Sequence, residues 1–108
     1  MKEFGGRVAA ITGAGSGIGR ALAVDLAGRG CGLALGDVDE QGLAETVLQC
    51  ERHGARVTPT ALDVSDRAAV FAWADDVVEQ HGRVDLLVNN AGVALGASAL
   101  GQSIDDFE

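Results

Sequence analysis

The segment Thr12-Gly13-Ala14-Gly15-Ser16-Gly17-Ile18-Gly19 decides the fold. It follows a short apolar run and leads into residues with helical spacing, so the glycines lie where a strand turns into a helix. Glycines at such a turn allow close approach of a ligand to the backbone, and the positive end of the helix favours a diphosphate. Without this context, the same letters would also be compatible with a flexible loop. The residues expected to form the site are Gly13, Ser16, Gly17, Ile18 and Gly19.

Four short apolar runs predict the strands of a parallel sheet. Three of them are apolar at successive positions, as in strands covered by helices on both faces. Pro59 cannot donate a hydrogen bond to a neighbouring strand, so the third run is expected at a sheet edge. The four runs are Arg7–Thr12, Cys31–Asp37, Arg56–Asp63 and Val84–Asn89.

Three segments between these runs have apolar residues at helical spacing. Each ends on a basic residue followed by glycine, which predicts a left-handed glycine after the helix and a cation facing its negative end. This interpretation gives His53 and His81 a structural role and neither a catalytic one. Ser65 is expected to cap the third helix. The spacing is carried by Ile18, Leu22 and Leu26, by Leu43, Val47 and Cys50, and by Val70, Ala74, Val77 and Val78.

Alternation of strands and helices predicts one α/β domain over residues 1–108, with a doubly wound parallel sheet of the Rossmann type. Ser103 and Asp106 resemble a capping box for a fourth helix beginning at Ile104. Glu108 falls one turn into that helix, and an isolated helix shorter than roughly 12 residues is unstable. The sequence therefore predicts that the domain is truncated here and continues into a further half.

Composition excludes several classes of function. Sixteen acidic against eight basic side chains give a net charge of −8, which disfavours nucleic acid and anionic membranes as partners. No window reaches the roughly 18 apolar residues of a membrane span, and Met1 to Arg7 carries no signal-peptide run, so a cytoplasmic location is expected. Cys31 and Cys50 stand apart from each other and from the histidines, which predicts reduced thiols and no metal site.

Asp37 ends the second run 18 positions after Gly19, close to the interval at which an acidic side chain meets the adenosine ribose of a bound dinucleotide. A 2′-phosphate beside this carboxylate would be repelled, and neither Ser16 nor Val38 offers a cation. The sequence therefore predicts NAD in preference to NADP. An alternative is that Asp37 is a solvated turn residue and that Asp39 caps the next helix.

Two further polar groups follow strands at the same carboxyl edge, where open α/β sheets bind ligands. Asp63-Val64 ends the third run and is expected to contact the adenine, although an aspartate next to a helix start is also common without a ligand. Asn89-Asn90-Ala91-Gly92 ends the fourth run and in isolation would be an ordinary turn. The candidate cofactor-binding residues here are Asp63, Val64, Asn89, Ala91 and Gly92.

Together these motifs resemble the short-chain dehydrogenase/reductase family over essentially the whole chain. The family pattern TGxxxGIG is present at residues 12–19, and NNAG at residues 89–92. The resemblance implies that Asp37 selects NAD and that Asp63 and Val64 contact the adenine. It also implies that Asn89 supports the central strand and that Ala91 and Gly92 lie against the adenosine and ribose. Further implications are hydride transfer between a small alcohol and a carbonyl compound, and assembly as a homo-oligomer.

The chain departs from the family in its catalytic residues, which are a Ser and a Tyr-x-x-x-Lys pair assisted by an Asn. Tyrosine is absent, and Lys2 is the only lysine. Ser98 and Ser103 precede the predicted fourth helix, so neither is assigned a catalytic role. The chain is therefore expected to be the cofactor-binding part of an NAD-dependent oxidoreductase and inactive alone. Two alternatives remain open: a non-catalytic nucleotide-binding module that pairs with a partner chain, and a methyltransferase that binds S-adenosylmethionine.

Overall fold

The computed structural model describes residues 4–90, which form an alternating α/β chain. None of its helices is long and apolar enough to cross a membrane. All four predicted strands and three predicted helices are present, and the strands are a little shorter than the apolar runs. Ser98, Ser103 and the predicted fourth helix lie outside the described residues. The strands are β1 (Val8–Thr12), β2 (Gly32–Asp37), β3 (Val57–Ala61) and β4 (Leu86–Asn89), and the helices are α1 (Gly17–Gly28), α2 (Glu40–Glu51) and α3 (Arg67–His81).

The four strands form one parallel sheet in the order β3-β2-β1-β4. Pro59 lies in β3 at one end of this sheet, as predicted, opposite Leu35 of β2. At the other end, Leu86 and Leu87 of β4 are 41% and 65% exposed. Because α3 carries the chain from β3 across to β4, the strand order reverses between β1 and β4, which is where ligands bind in such sheets.

Helices cover both faces of the sheet, which confirms the doubly wound arrangement. Alternate residues of β1 point to opposite sides, and all five are buried. Ile11 packs among residues of α1 and α2, and Leu33 and Leu35 of β2 join the same cluster. On the other face, Ala10 packs with Trp73 and Val77 of α3. The central strands are therefore fixed from both sides and hold their carboxyl ends in place.

The glycines after the three helices take the predicted left-handed conformation, and the predicted capping residue of α3 is an exception. Gly30, Gly54 and Gly82 have φ values of 95°, 81° and 82°, the left-handed conformation that glycine adopts readily. The exception is Ser65, which does not cap α3. Asp66 caps that helix by accepting a hydrogen bond from Ala69 N, whereas the Ser65 hydroxyl donates to Asp63.

The two cysteines are buried and unpaired, as expected. Burial, with a smaller contribution from the carboxylate of Glu51, raises the pKa of Cys50 to about 11. Burial also raises the pKa of Cys31. The raised pKa values favour the protonated thiols, and both side chains pack as small apolar residues of the core.

His81 lies in the last turn of α3, as predicted, but its environment disfavours the charge that the sequence interpretation gave it. Burial, and then the positive charge of Arg56, lower the pKa of the imidazole. Its Nε2 lies 2.9 Å from the Thr58 hydroxyl oxygen of β3. The ring therefore contributes mainly as a neutral hydrogen-bonding group that ties the end of α3 to the edge strand.

We expect His81 to make the stability of the protein depend on pH in the acid range. Because the folded pKa lies below the unfolded value of about 6.5, the unfolded chain takes up a proton first as the pH falls, and stability is lost from that point downward. Urea unfolding at several pH values between neutral and mildly acid conditions measures this loss, which should be smaller in His81→Gln. The matched control is His53→Gln, which removes the exposed imidazole after α2. Equal pH dependence in His81→Gln and the wild type would contradict the prediction.

Candidate functional site

The candidate site lies at the carboxyl ends of β1 and β4, at the reversal of strand order. Thr12 ends β1, and its hydroxyl donates a hydrogen bond of 2.9 Å to Asn89 Oδ1 at the end of β4. Asn90 Nδ2 donates to the carbonyl oxygen of Gly13 at 3.2 Å. The two motifs that the sequence analysis singled out are therefore joined by side-chain hydrogen bonds, one of them between Asn89 and the end of the central strand β1.

Three glycines of the loop have distinct structural roles. Gly13 and Gly17 have φ values of 66° and 55°, and a Cβ added at Gly17 would meet no atom within 4 Å. Gly19 is buried in the first turn of α1, and a Cβ there would overlap the carbonyl oxygen of Gly13. The loop therefore leaves open space in front of the helix and packs tightly behind it.

The N-terminus of α1 differs from those of the other two helices. Asp39 caps α2 and Asp66 caps α3, each through a carboxylate that accepts a backbone hydrogen bond. At α1 the N-cap residue is Ser16, whose side chain makes no cap hydrogen bond, and the first turn carries no acidic residue. Ile18 in that turn is 76% exposed. The first N–H groups of a helix need acceptors, so this end fits an anionic ligand such as a diphosphate.

Asp37 is held directly beside the glycine loop. Its Oδ2 accepts a hydrogen bond of 2.7 Å from Gly15 N, and its Oδ1 accepts one of 3.0 Å from Asp39 N. An ionised carboxylate has about four acceptor positions, so each oxygen can still accept a hydrogen bond from a ligand hydroxyl. Asp39 caps α2, as the alternative had it, and this cap does not compete with a ligand role for Asp37.

Asp63 makes hydrogen bonds next to the start of α3, which fits the alternative, left open by the sequence analysis, of an aspartate without a ligand. Its Oδ1 accepts hydrogen bonds from the backbone and the hydroxyl of Ser65, at 2.9 and 2.7 Å, and these bonds lower the pKa of the carboxyl. Val64 is half-buried against the α3 side of the sheet. An adenine contact from this pair therefore stays a prediction. Ala91 and Gly92 lie outside the described residues.

Sequence reasoning missed a polar cluster underneath the loop. The guanidinium of Arg20 in α1 donates to the carbonyl oxygens of Gly15 and Gly42 at 2.6 and 3.0 Å, and to the Thr46 hydroxyl at 2.9 Å. Thr46 is fully buried and lies 2.7 Å from the carbonyl oxygen of Ala14. The only signal in the sequence was a threonine at a core position of an amphipathic helix, and it does not identify the partners.

A doubly wound sheet with a glycine loop at its reversal point defines a Rossmann-type domain. The chain belongs to the short chain dehydrogenase family, whose model matches residues 7–108.

Individual relatives agree with this assignment. The chain is 49% identical to the SadH protein of Mycobacterium tuberculosis, over all of this chain and 39% of that protein. It is 52% identical, with a TM-score of 0.75, to a short chain dehydrogenase/reductase from Burkholderia phymatum in complex with NAD, over 81% of this chain and 31% of that one. A carveol dehydrogenase from Mycobacterium avium in complex with NAD gives a TM-score of 0.81 at 34% identity, over 86% of this chain and 38% of that one. The chain thus spans well under half the length of these relatives.

Proposed function

We propose that this chain is the cofactor-binding part of an NAD-dependent oxidoreductase that interconverts a small alcohol and a carbonyl compound. The observation that carries the proposal is the α1 N-terminus, which no side chain caps and which a glycine loop leaves open next to the carboxylate of Asp37. Two relatives of the same fold are described as complexes with NAD, which supports the same cofactor here.

Each part of the site would hold a different part of the cofactor. The N–H groups from Ser16 to Gly19, at the end of the loop and in the first α1 turn, would donate to the diphosphate, because those of Ala14 and Gly15 already bond to Gly36 and Asp37. Asp37 would accept hydrogen bonds from the ribose hydroxyls. Asp63 and Val64 would lie at the adenine, and Ala91 and Gly92 would lie against the adenosine and ribose. Asn89 would support the end of the central strand beside them. When bound, the nicotinamide ring accepts or gives up the hydride.

Acid–base chemistry would have to come from outside these 108 residues. The chain has no tyrosine, and its only lysine is Lys2, so it holds no Tyr-Lys pair to move the alcohol proton. We therefore propose no catalytic residue within it and expect no turnover from this chain alone.

Preference for NAD over NADP is part of the proposal. A 2′-phosphate on the ribose would face the Asp37 carboxylate. Val38, the next residue, is apolar and 67% exposed. Arg20 is the cation beneath the loop, but three oxygen atoms already hold its guanidinium. These contacts favour a ribose with free hydroxyls.

The test uses the natural protein that contains this chain. We expect saturable binding of NADH, measured by fluorescence titration, and NAD-dependent oxidation of at least one secondary alcohol from a panel, followed by the absorbance of NADH. NADPH should bind more weakly. Saturable NADH binding with no turnover on any alcohol or ketone would instead support the non-catalytic binding module. Binding of S-adenosylmethionine without binding of NADH would contradict the proposal and favour the methyltransferase. The homo-oligomer and the cytoplasmic location expected from the sequence stay predictions.

A further inference from the structure

The cluster of Arg20, Gly42 and Thr46 joins two parts of the site that are distant in sequence. Arg20 lies in the first turns of α1, behind the glycine loop, and Thr46 lies in α2. Between them they contact the carbonyl oxygens of Ala14 and Gly15 in the loop and of Gly42 in the first turn of α2. Because α2 begins directly after the turn at Asp37, the cluster fastens the loop to the segment that carries this carboxylate.

The side chains of Arg20 and Thr46 hydrogen-bond to each other as well as to the backbone, so the position of each depends on the other. The Thr46 hydroxyl has a single proton, and the shorter contact, 2.7 Å to the carbonyl of Ala14 against 3.2 Å to that of Gly42, indicates where it goes. The same oxygen accepts from Nε of Arg20. One terminal nitrogen of Arg20 then serves the carbonyls of both Gly15 and Gly42. Removing Arg20 would take this donor from the carbonyl of Gly15, and removing the Thr46 hydroxyl would take the donor from the buried carbonyl of Ala14.

The contacts determine which way the loop peptides face. The N–H and C=O of a trans peptide point in opposite directions, and the structure has no cis peptide bond among its described residues. With the carbonyl of Gly15 held toward Arg20, the N–H of Ser16 points away from α2, toward the open side of the loop. The peptide between Ala14 and Gly15 is held at both ends, by Thr46 at its oxygen and by Asp37 at its nitrogen.

Close packing between the two segments leaves little room for this geometry to relax. A Cβ added at Gly42 would overlap the carbonyl oxygen of Gly15, and one added at Gly15 would lie 2.8 Å from Asp37 Oδ2. Gly15 lies in the glycine segment but was not among the predicted site residues, and Gly42 lies outside that segment. Both glycines are explained by the contact between the loop and α2 that Arg20 holds together.

We propose that Arg20 and Thr46 are positioning residues for the dinucleotide. Arg20 holds the carbonyl of Gly15 so that the N–H of Ser16 faces the diphosphate, and Thr46 holds the carbonyl of Ala14 so that the N–H of Gly15 keeps the Asp37 carboxylate in place. This inference rests on the proposed cofactor binding. Arg20 and Thr46 act through the backbone of the loop, so their removal should weaken the cofactor complex and leave the alcohol site unaffected.

The experiment compares NADH affinity, kcat and melting temperature in variants of the natural protein. Arg20→Met and Thr46→Val should each raise the Kd for NADH by about tenfold, the usual effect of losing a hydrogen bond to a charged group. With saturating NAD, kcat and the KM for the alcohol should stay within about twofold, because the interaction lost concerns cofactor binding. Thr46→Ser, which keeps the hydroxyl, should restore the affinity. The Kd for NADH of the double variant should be no higher than that of the more strongly affected single variant, because both changes break the same network.

Arg29→Met is the matched control, because it makes the same substitution at the far end of α1, where Arg29 pairs with the exposed Asp25. A Kd for NADH that rises equally in this control, or that stays within about twofold in both Arg20→Met and Thr46→Val, would overturn the proposal. The proposal would also be overturned if Thr46→Ser bound NADH as weakly as Thr46→Val. If Arg20→Met does not fold, the NADH affinities of Thr46→Val and Thr46→Ser test the proposal without it. Failure of the wild type to bind NADH would instead overturn the proposed function and this inference with it.

Discussion

Gly19→Ala should cost about 100-fold in kcat/KM for NAD, the effect expected when a site is displaced by about 1 Å. The added methyl group would overlap the carbonyl oxygen of Gly13, and that carbonyl cannot turn aside freely because it accepts a hydrogen bond from Asn90. Gly19 is buried in the first turn of α1, against the backbone of Gly13, so the helix and the loop would have to separate. The N–H groups at the helix N-terminus would then lose their alignment with the diphosphate.

The matched control for this prediction is Gly28→Ala at the other end of α1. A Cβ at Gly28 would lie 3.5 Å from the ring of His53, an ordinary contact, and alanine is favoured over glycine in helices by roughly 1 kcal/mol. The control should keep its NADH affinity and melt at an equal or higher temperature. Wild-type kcat/KM for NAD in Gly19→Ala would show that the contact behind the loop does not position the cofactor.

Local sequence patterns were sufficient to predict most of the fold. The uninterrupted apolar runs of β1 and β2 are buried on both faces by the helices that the pattern required. Pro59 predicted that β3 is an edge strand, because proline has no N–H to donate to a second neighbouring strand. Three glycines after basic residues marked three helix ends, since only glycine takes a left-handed conformation without cost.

The failures of prediction arose where one residue had two possible partners. Ser65 and Asp66 both suit a helix cap, and the choice depended on Asp63, whose carboxylate takes the hydroxyl of Ser65. His81 has the position of a helix-end cation, but burial and, to a smaller extent, Arg56 disfavour its charge. Such outcomes depend on contacts between segments, and a propensity at one position contains no information about them.

The polar cluster under the loop could not be found from the sequence for the same reason. Arg20 looks like a solvent-facing residue of an amphipathic helix, and its partners Gly42 and Thr46 are 22 and 26 residues away. Only the packing of α1 beside α2 brings the three together. The motif glycines, in contrast, act within one strand-turn-helix segment, so their spacing alone revealed them.

Asp37→Asn should change the ratio of NAD to NADP affinity by about 100-fold or more in favour of NADP. Two unit charges 4 Å apart repel by about 4 kcal/mol at an effective dielectric near 20, and a neutral side chain removes that repulsion from a 2′-phosphate. Loss of hydrogen bonds to an ionised carboxylate should at the same time weaken NAD by about 1.5 to 3 kcal/mol. Adding Val38→Arg should increase the change, because residue 38 is 67% exposed and an arginine there would pair with the phosphate. Titrations of the natural protein and its variants with NADH and NADPH measure both affinities.

Asp39→Asn separates a local effect of the Asp37 carboxylate from a general effect of net charge. Both variants remove one negative charge, and they lie two residues apart in the same turn. Asparagine caps a helix about as well as aspartate, so the bond from Gly42 N and the start of α2 should survive in the control. We therefore expect Asp39→Asn to keep the cofactor preference of the wild type. An equal shift in both variants would mean that the acidic surface as a whole, rather than the carboxylate held against Gly15, discriminates between the two cofactors.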